Sequence, residues 1–223
     1  MELADVMRTT GAIREFVDEP VDDHALREIF ELARFAPSGG NRQGWKVIVV
    51  RDAAKRARLQ EMSRAGWHEY AAYVAAGRVP FAPGPDGRWT GPPDDVDAAG
   101  IEVPGAVEAI HAAPVLAVLA ADLQQLAVTD IDLERQSIVG GASVYPFAQN
   151  VLLAARDLGM GGVLTTFLCR REREVKELLG IPTPYAVAAM LALGRPTQFP
   201  TRLRRKAVDE LVAIDEFGGR PLS

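Results

Sequence analysis

The side chains best suited to chemistry in this sequence are hydrogen-bonding and cationic groups with no acid–base pair among them. Arg8 and Arg14 lie near the N-terminus. Ser38, Asn41, Arg42 and Gln43 share a turn with Gly39 and Gly40, Gly161 and Gly162 precede an apolar run, and Arg202, Arg204, Arg205 and Lys206 cluster in the tail. Arginine presents a planar fork of donors that matches phosphate oxygens in pairs. Asn and Gln amides both donate and accept, which suits the edge of a heteroaromatic ring that alternates carbonyls and N–H groups. Adjacent glycines let backbone come close to a flat ring. Together these groups describe a site for a phosphorylated heterocycle that carries the reaction itself, while the protein supplies position and electrostatics.

Other chemistries lack their residues. His24, His68 and His111 are far apart, and none sits among Cys or carboxylates at ligand spacing, so surface or satisfied histidines and no metal are expected. There is no Gly-x-Ser-x-Gly elbow. Cys169, the single cysteine, forms no internal disulfide and reads as a small buried residue rather than a thiolate. Gly159 and Gly161 begin a Gly-x-Gly, but Leu164 stands where a dinucleotide fingerprint has its third glycine.

With 223 residues, 25 Lys plus Arg against 30 Asp plus Glu and a net charge of −5, the chain has ordinary globular composition and the length of one domain. Its acidity argues against a nucleic-acid surface, the tail run excepted. The longest apolar run, Ala112 to Ala121, is about half of the ~20 residues a membrane helix needs. The acidic start lacks the apolar stretch of a secretory signal, so a cytoplasmic protein is expected.

The elements that must position these groups follow from periodicity. Val21 to Phe35 predicts an amphipathic helix capped by Asp22 or Asp23, with Leu26, Ile29, Phe30 and Ala33 on one face. Trp45 to Val50, β-branched and almost continuously apolar, predicts a strand buried on both faces. Asp52 to about Gly77 reads as helix. Pro80 to Gly105, with six Pro and five Gly, reads as a lid, a binding loop or a plain connector. Pro114 to Ala120, Val163 to Thr166 and Tyr185 to Leu193 predict strands, and Arg170 to Leu179 a short helix. Gln136 to Leu158 predicts the longest helix, apolar or small nearly all round and kinked at Pro146.

In several segments the sequence resembles the flavin-dependent nitroreductase family. These are Ile13-Arg14-Glu15-Phe16 with Glu19-Pro20-Val21, the run Ala33 to Trp45 containing Ala36-Pro37-Ser38-Gly39-Gly40-Asn41-Arg42-Gln43, Ala148-Gln149-Asn150 through Leu158-Gly159-Met160-Gly161, and Leu193-Gly194-Arg195-Pro196 with the basic tail. They occur in family order over nearly the whole chain. The resemblance implies an α+β sandwich with a mixed, mostly antiparallel sheet flanked by helices. It also implies an intertwined homodimer with FMN at the interface, the 136–158 helix in that interface and the tail, from about 197, wrapping the partner. In such an enzyme NADH or NADPH reduces the flavin at N5, the electrons pass to nitroaromatics, quinones or other small electrophilic acceptors, and no side chain is catalytic. The phosphate and ribityl contacts would fall to Arg8, Arg14, Arg204 and Arg205. Ser38, Gly39, Asn41 and Gln43 would meet the ribityl chain and ring edge, and the backbone of Gly161 and Gly162 would approach the ring. Trp67, Tyr70, Tyr73, Phe81 and Trp89 would shape an acceptor pocket or simply pack.

The sequence departs from the family where Thr10 and Ala12 replace an Arg-x-Ser pair and Gly44 a proline. A dehalogenase, a flavin-fragmenting or peptide-oxidising relative, and a non-catalytic flavin-storage protein are the rival expectations. Plain structural roles also remain: an Arg14–Glu15 surface pair, turn formation by Ser38 and Asn41, and a solvated basic tail.

Overall fold

The computed structural model describes residues 1–89, 91–92, 101–102, 105–200 and 202–222. In chain order these form α1 (Leu3–Thr9), α2 (Asp23–Ala33), β1 (Trp45–Val50), α3 (Ala53–Ala75), α4 (Gly105–His111), β2 (Val115–Asp122), α5 (Tyr145–Asp157), β3 (Gly161–Thr165), α6 (Glu172–Leu179) and β4 (Tyr185–Gly194). The strands lie in the order β1-β2-β4-β3, with every ladder antiparallel. One parallel bridge, Ala12 to Gly162, adds the N-terminal segment to the outer side of β3.

Because side chains alternate faces along a strand, the central strands feed two cores. Val115, Ala117, Leu119, Ala121, Ala189, Leu191 and Leu193 meet Leu26, Ile29 and Ala33 of α2 and Phe147, Val151 and Ala155 of α5. Leu116, Val118, Ala120, Met190 and Ala192 meet Leu59 and Met62 of α3, Ile110 of α4 and Val175 of α6. This is the expected α+β sandwich, with helices on both sides of the sheet. Among the described residues no helix is long and apolar enough to cross a membrane.

Four expectations about elements need correction. The stretch 136–158 is not one helix: a 3-10 turn, Val139–Ser143, is separated from α5 by the non-helical Val144. Pro146 sits in the first turn of α5, where its missing N–H has no intrahelical partner to lose, so it starts the helix rather than kinking it. The longest helix is α3 instead. β1 is fully buried only at Val50, because it forms an outer edge of the sheet. The helix α4, near the end of the Pro/Gly-rich stretch, was not anticipated.

His24 is exposed and His68 half-buried, as expected, but His111 is neither exposed nor satisfied. It is 7% exposed, and its Nδ1 has no hydrogen-bond partner. Burial pushes its pKa from 6.5 down to about 4, with the positive charges of Arg56 and Arg64 helping against the pull of Glu108. The unfolded chain therefore binds a proton below pH 6.5 that the folded chain refuses until about pH 4. Stability should fall across that window, by about 3 kcal/mol at its foot. Urea melts at pH 7 and pH 4 should show His111→Asn losing less stability than wild type by about that amount.

Candidate functional site

The first group of site residues forms where the chain's two ends meet. Beyond α1, the Ile13 N–H donates to Gly162 O at 2.9 Å, so the segment carrying Arg14 lies along the edge of β3. The Thr197 N–H donates to Glu15 O at 3.3 Å, and Phe16 bridges to Pro196. A Cβ on Gly11 would lie 2.9 Å from both Pro200 and Leu203, which places the tail against the N-terminal motif. Arg156, in the last turn of α5, fastens the two. Its Nε donates to Thr9 Oγ1 at 3.0 Å while its guanidinium stacks 3.8 Å from the centre of the Phe199 ring. Nothing in the local pattern singles out Arg156, because Thr9 and Phe199 are remote from it along the chain.

The charges in this corner are grouped without counter-charges. Several arginines elsewhere are matched to carboxylates, Arg34 to Glu31, Arg64 to Glu108, Arg135 to Asp130, Arg170 to Glu69 and Arg195 to Glu19, while Arg42 and Arg56 are spent on backbone carbonyls. Among the described residues, Arg8, Arg14, Arg202, Arg204 and Arg205 are all exposed and have no carboxylate partner. Gly161 and Gly162 are buried beside them. The space a Cβ would need is filled by Ile13 at 2.7 Å from Gly161 and by Leu193 at 2.5 Å from Gly162, so these glycines serve close packing and offer only backbone to a ligand.

The second group is the turn between α2 and β1. Ser38 Oγ accepts the Gln43 N–H at 2.9 Å, and Ser38 O accepts the Asn41 N–H at 2.9 Å. Gly40, Asn41 and Gln43 all have positive φ, of 62°, 53° and 52°. Glycine and asparagine tolerate that region. For Gln43 it costs roughly 1 kcal/mol, a strain that the surrounding contacts must hold in place. The Gln43 amide donates back to Asn41 O and Oδ1, at 3.3 and 3.2 Å. Segment 126–143 grips this turn: Gly39 N–H donates to Ser143 Oγ at 3.0 Å and Arg42 Nη1 to Leu126 O at 3.1 Å. Arg42 is thus a strap for the turn, and Ser143 a supporting residue that the sequence reading missed.

The fold keeps the two groups apart. Trp45, which follows the turn, pairs with Ala121 at one end of the sheet on the β1 edge, whereas Gly161 pairs with Gly194 at the other end on the β3 edge. Three strand spacings of about 4.8 Å across and the eight residues from Ala186 to Gly194 at about 3.3 Å along give a diagonal of about 30 Å. Helix α5 spans most of that separation. Ser143 holds the turn just before its start and Arg156 holds the tail in its last turn, and thirteen residues at about 1.5 Å give about 20 Å.

A third feature lies beyond α3. Trp67, Tyr70, Tyr73, Phe81 and Trp89 gather with Phe167 into one aromatic cluster, its closest pair Trp67–Phe167 at 4.4 Å. The Trp89 indole N–H donates to the Tyr73 hydroxyl at 3.1 Å. Arg170, paired to Glu69, stacks 4.5 Å from the Trp89 ring. This cluster pins residues 80–89 to α3; residues 90, 93–100 and 103–104 of the proposed lid lie outside the described residues. Cys169 is exposed rather than buried, although its thiol donates to Val187 O at 3.1 Å. That local desolvation, followed by the charge of Glu172, pushes its pKa up to about 11, so it stays a thiol.

The family profile for nitroreductases matches residues 7–195. The chain belongs to the nitroreductase family. It is 30% identical to a Thermus thermophilus protein named NADH dehydrogenase, over 84% of this chain and 83% of that one. It is 28% identical to a 4-nitrobenzoate reductase from a Nocardioides strain, over 85% and 78%. Among solved structures, the NADPH:FMN oxidoreductase of Vibrio harveyi, complexed with NAD+, superposes with a TM-score of 0.68 at 22% identity, over 96% of this chain and 77% of that one.

Against the nitroreductase pattern, the departures now have local explanations. The Thr10 hydroxyl caps α1 by donating to Val6 O at 2.7 Å, and Ala12 has no donor to give. Arg8, two residues before Thr10 in the last turn of α1, and Arg14, two residues after Ala12, are the exposed cations that flank them. At Gly44, a Cβ would lie 2.5 Å from that of Gln125, so the 3-10 turn Leu123–Gln125 has closed into the room the missing side chain leaves.

Proposed function

We propose that this nitroreductase-family chain is an FMN-dependent oxidoreductase, a cytoplasmic homodimer. It passes electrons from NADH or NADPH to nitroaromatic, quinone or other electrophilic acceptors by a ping-pong exchange. One observation carries the reading. Exposed arginines without carboxylate partners gather where the N-terminal motif and the tail pack, more than about 20 Å from the strained, amide-rich turn, a distance longer than a ribityl chain. A second copy, related by twofold symmetry, supplies the turn that one copy cannot bring to its own arginines.

The donor set fits FMN. Arg8, Arg14, Arg204 and Arg205 would hold the phosphate through paired N–H donors. Ser38, Gly39, Asn41 and Gln43 of the second copy would meet the ribityl chain and ring edge, and the backbone at Gly161 and Gly162 would border the ring. Bound FMN supplies the hydride acceptance and electron donation that no side chain here offers. The arginines bind and orient it, and Arg14, fixed along β3, stabilises negative charge as it develops.

The apolar surface supports the pairing. A hollow of about 770 Å³ lined by Leu123, Leu126, Ile138, Val144, Tyr145 and Ala188 opens beside the turn. Ile138 is 70% exposed, Phe35 is 74% exposed, and Phe217 of the 197–223 arm is fully exposed. Residues 80–105 act as a lid on the acceptor side within a single domain. Relatives named for NADH, NADPH:FMN and 4-nitrobenzoate support the donor, the cofactor and one class of acceptor.

Purified protein is expected to carry FMN, to bleach anaerobically with NADH or NADPH, and to recover its colour when a quinone is added. Initial rates over a grid of donor and acceptor should give parallel double-reciprocal lines. Colour that persists with both donors would refute the enzyme and leave the storage reading.

A further inference from the structure

Asp130 is 3% exposed, yet it collects an unusual number of donors. Its carboxylate accepts the Ile138 N–H at 2.9 Å, Arg135 Nη1 at 2.8 Å and the Ser137 hydroxyl at 2.8 Å, with the Val139 N–H at 3.4 Å from both oxygens. A buried carboxylate is costly unless its lone pairs are met, and here they are. The Ile138 amide first, then the side chains of Arg135 and Ser137, hold this carboxyl far below the usual carboxylate range, so it stays charged through the working pH range.

What the carboxylate organises lies next to the site. By gathering residues 135–139 it sets the start of the Val139–Ser143 turn, and Ser143, 4% exposed, ends that turn with its Oγ accepting the Gly39 N–H. The loop that begins before Asp130 also supplies Leu126 O to Arg42, and Ala127 to the close approach at Gly39. Its far side touches the lid, where the Gln136 N–H donates to Asp86 O at 3.3 Å. The left-handed geometry at Asn41 and Gln43 thus rests on a loop that one buried charge closes. We propose that Asp130 is a positioning residue for the flavin-contacting turn, acting through Ser143. The inference rests on the reading that this turn meets the flavin.

The test combines a ligand-free readout with binding. Without flavin, Asp130→Asn should speed amide exchange at Gly39 and Gln43 about 10-fold while exchange in the central β2 and β4 strands stays unchanged. FMN and riboflavin affinities should fall together, each about 10-fold, since the turn does not touch the phosphate. Ser143→Ala should reproduce about half of that loss on a logarithmic scale, and the double variant should be no worse than Asp130→Asn alone. Should Asp130→Asn fail to fold, Ser137→Ala removes a single donor and should give an exchange change of the same sign and about 3-fold size. Unchanged exchange at Gly39, or losses from Asp130→Asn and Ser143→Ala that multiply, would overturn the proposal. Wild type that binds no flavin, with exchange still responding to Asp130, would instead overturn the flavin reading and leave Asp130's structural role standing.

Discussion

Replacing Arg14, Arg204 and Arg205 together by alanine should weaken FMN binding about 1,000-fold. A hydrogen bond from a charged donor contributes about 1.5 kcal/mol or more, and three such losses sum to about 4.5 kcal/mol, or roughly three powers of ten. Riboflavin, which lacks the phosphate, should lose no more than about 3-fold, because the turn and the backbone near Gly161 still meet its ring and ribityl chain. The three side chains are exposed and have no carboxylate partner among the described residues, so stability should change little. Fluorescence titration with both flavins, beside thermal melts, separates these effects. An equal loss for the two ligands would move the phosphate site elsewhere.

The largest effect on the fold is expected at Gly162. A methyl group there would lie 2.5 Å from Leu193 Cδ2 and 2.6 Å from Ala192 O, and the second contact is backbone in the adjacent strand, which cannot turn aside. Overpacking of this kind costs about 3 kcal/mol. In a chain of this size that lowers Tm by roughly 6–12 °C. Gly162 O also accepts from Ile13 N–H, so a shift of β3 carries Arg14 with it, and FMN affinity should fall alongside stability. Gly218→Ala, with nothing within 4 Å of the added carbon, is the matched control and should stay within about 0.5 kcal/mol of wild type.

Much of this arrangement could be read from local pattern. The amphipathic spacing of Leu26, Ile29 and Ala33 announced α2, and the continuous apolar runs announced β2 and β4, because burial acts on residues a few positions apart; their assembly into a sandwich was an implication of the family resemblance. The break at Val144 was legible in principle: Gly140 and Gly141 weaken a helix, and Pro146 fits its first turn better than its middle. The edge position of β1 was not, since strand order depends on pairing between distant segments. The site shows the same division. Residue types announced Arg14, Ser38, Asn41, Gln43 and the basic tail. Arg156, Ser143 and Asp130 act through partners that sequence spacing does not connect to them: Thr9 and Phe199 for the first, Gly39 for the second, and a loop that closes on itself for the third. The separation of the two groups by the length of α5 became visible only once the sheet had an order.

Mixing two crippled variants tests the shared cleft most directly. One variant carries Ser38→Ala, Asn41→Ala and Gln43→Ala; the other carries Arg14→Ala, Arg204→Ala and Arg205→Ala. Each alone should fail to retain FMN. In a mixed dimer, one cleft pairs the intact arginines of the first chain with the intact turn of the second, and the other cleft inherits both defects. Differently tagged chains, co-expressed and purified through both tags, should therefore hold one tightly bound FMN per dimer. No bound flavin in the mixed dimer would place both groups of residues in the same chain's site and contradict the account.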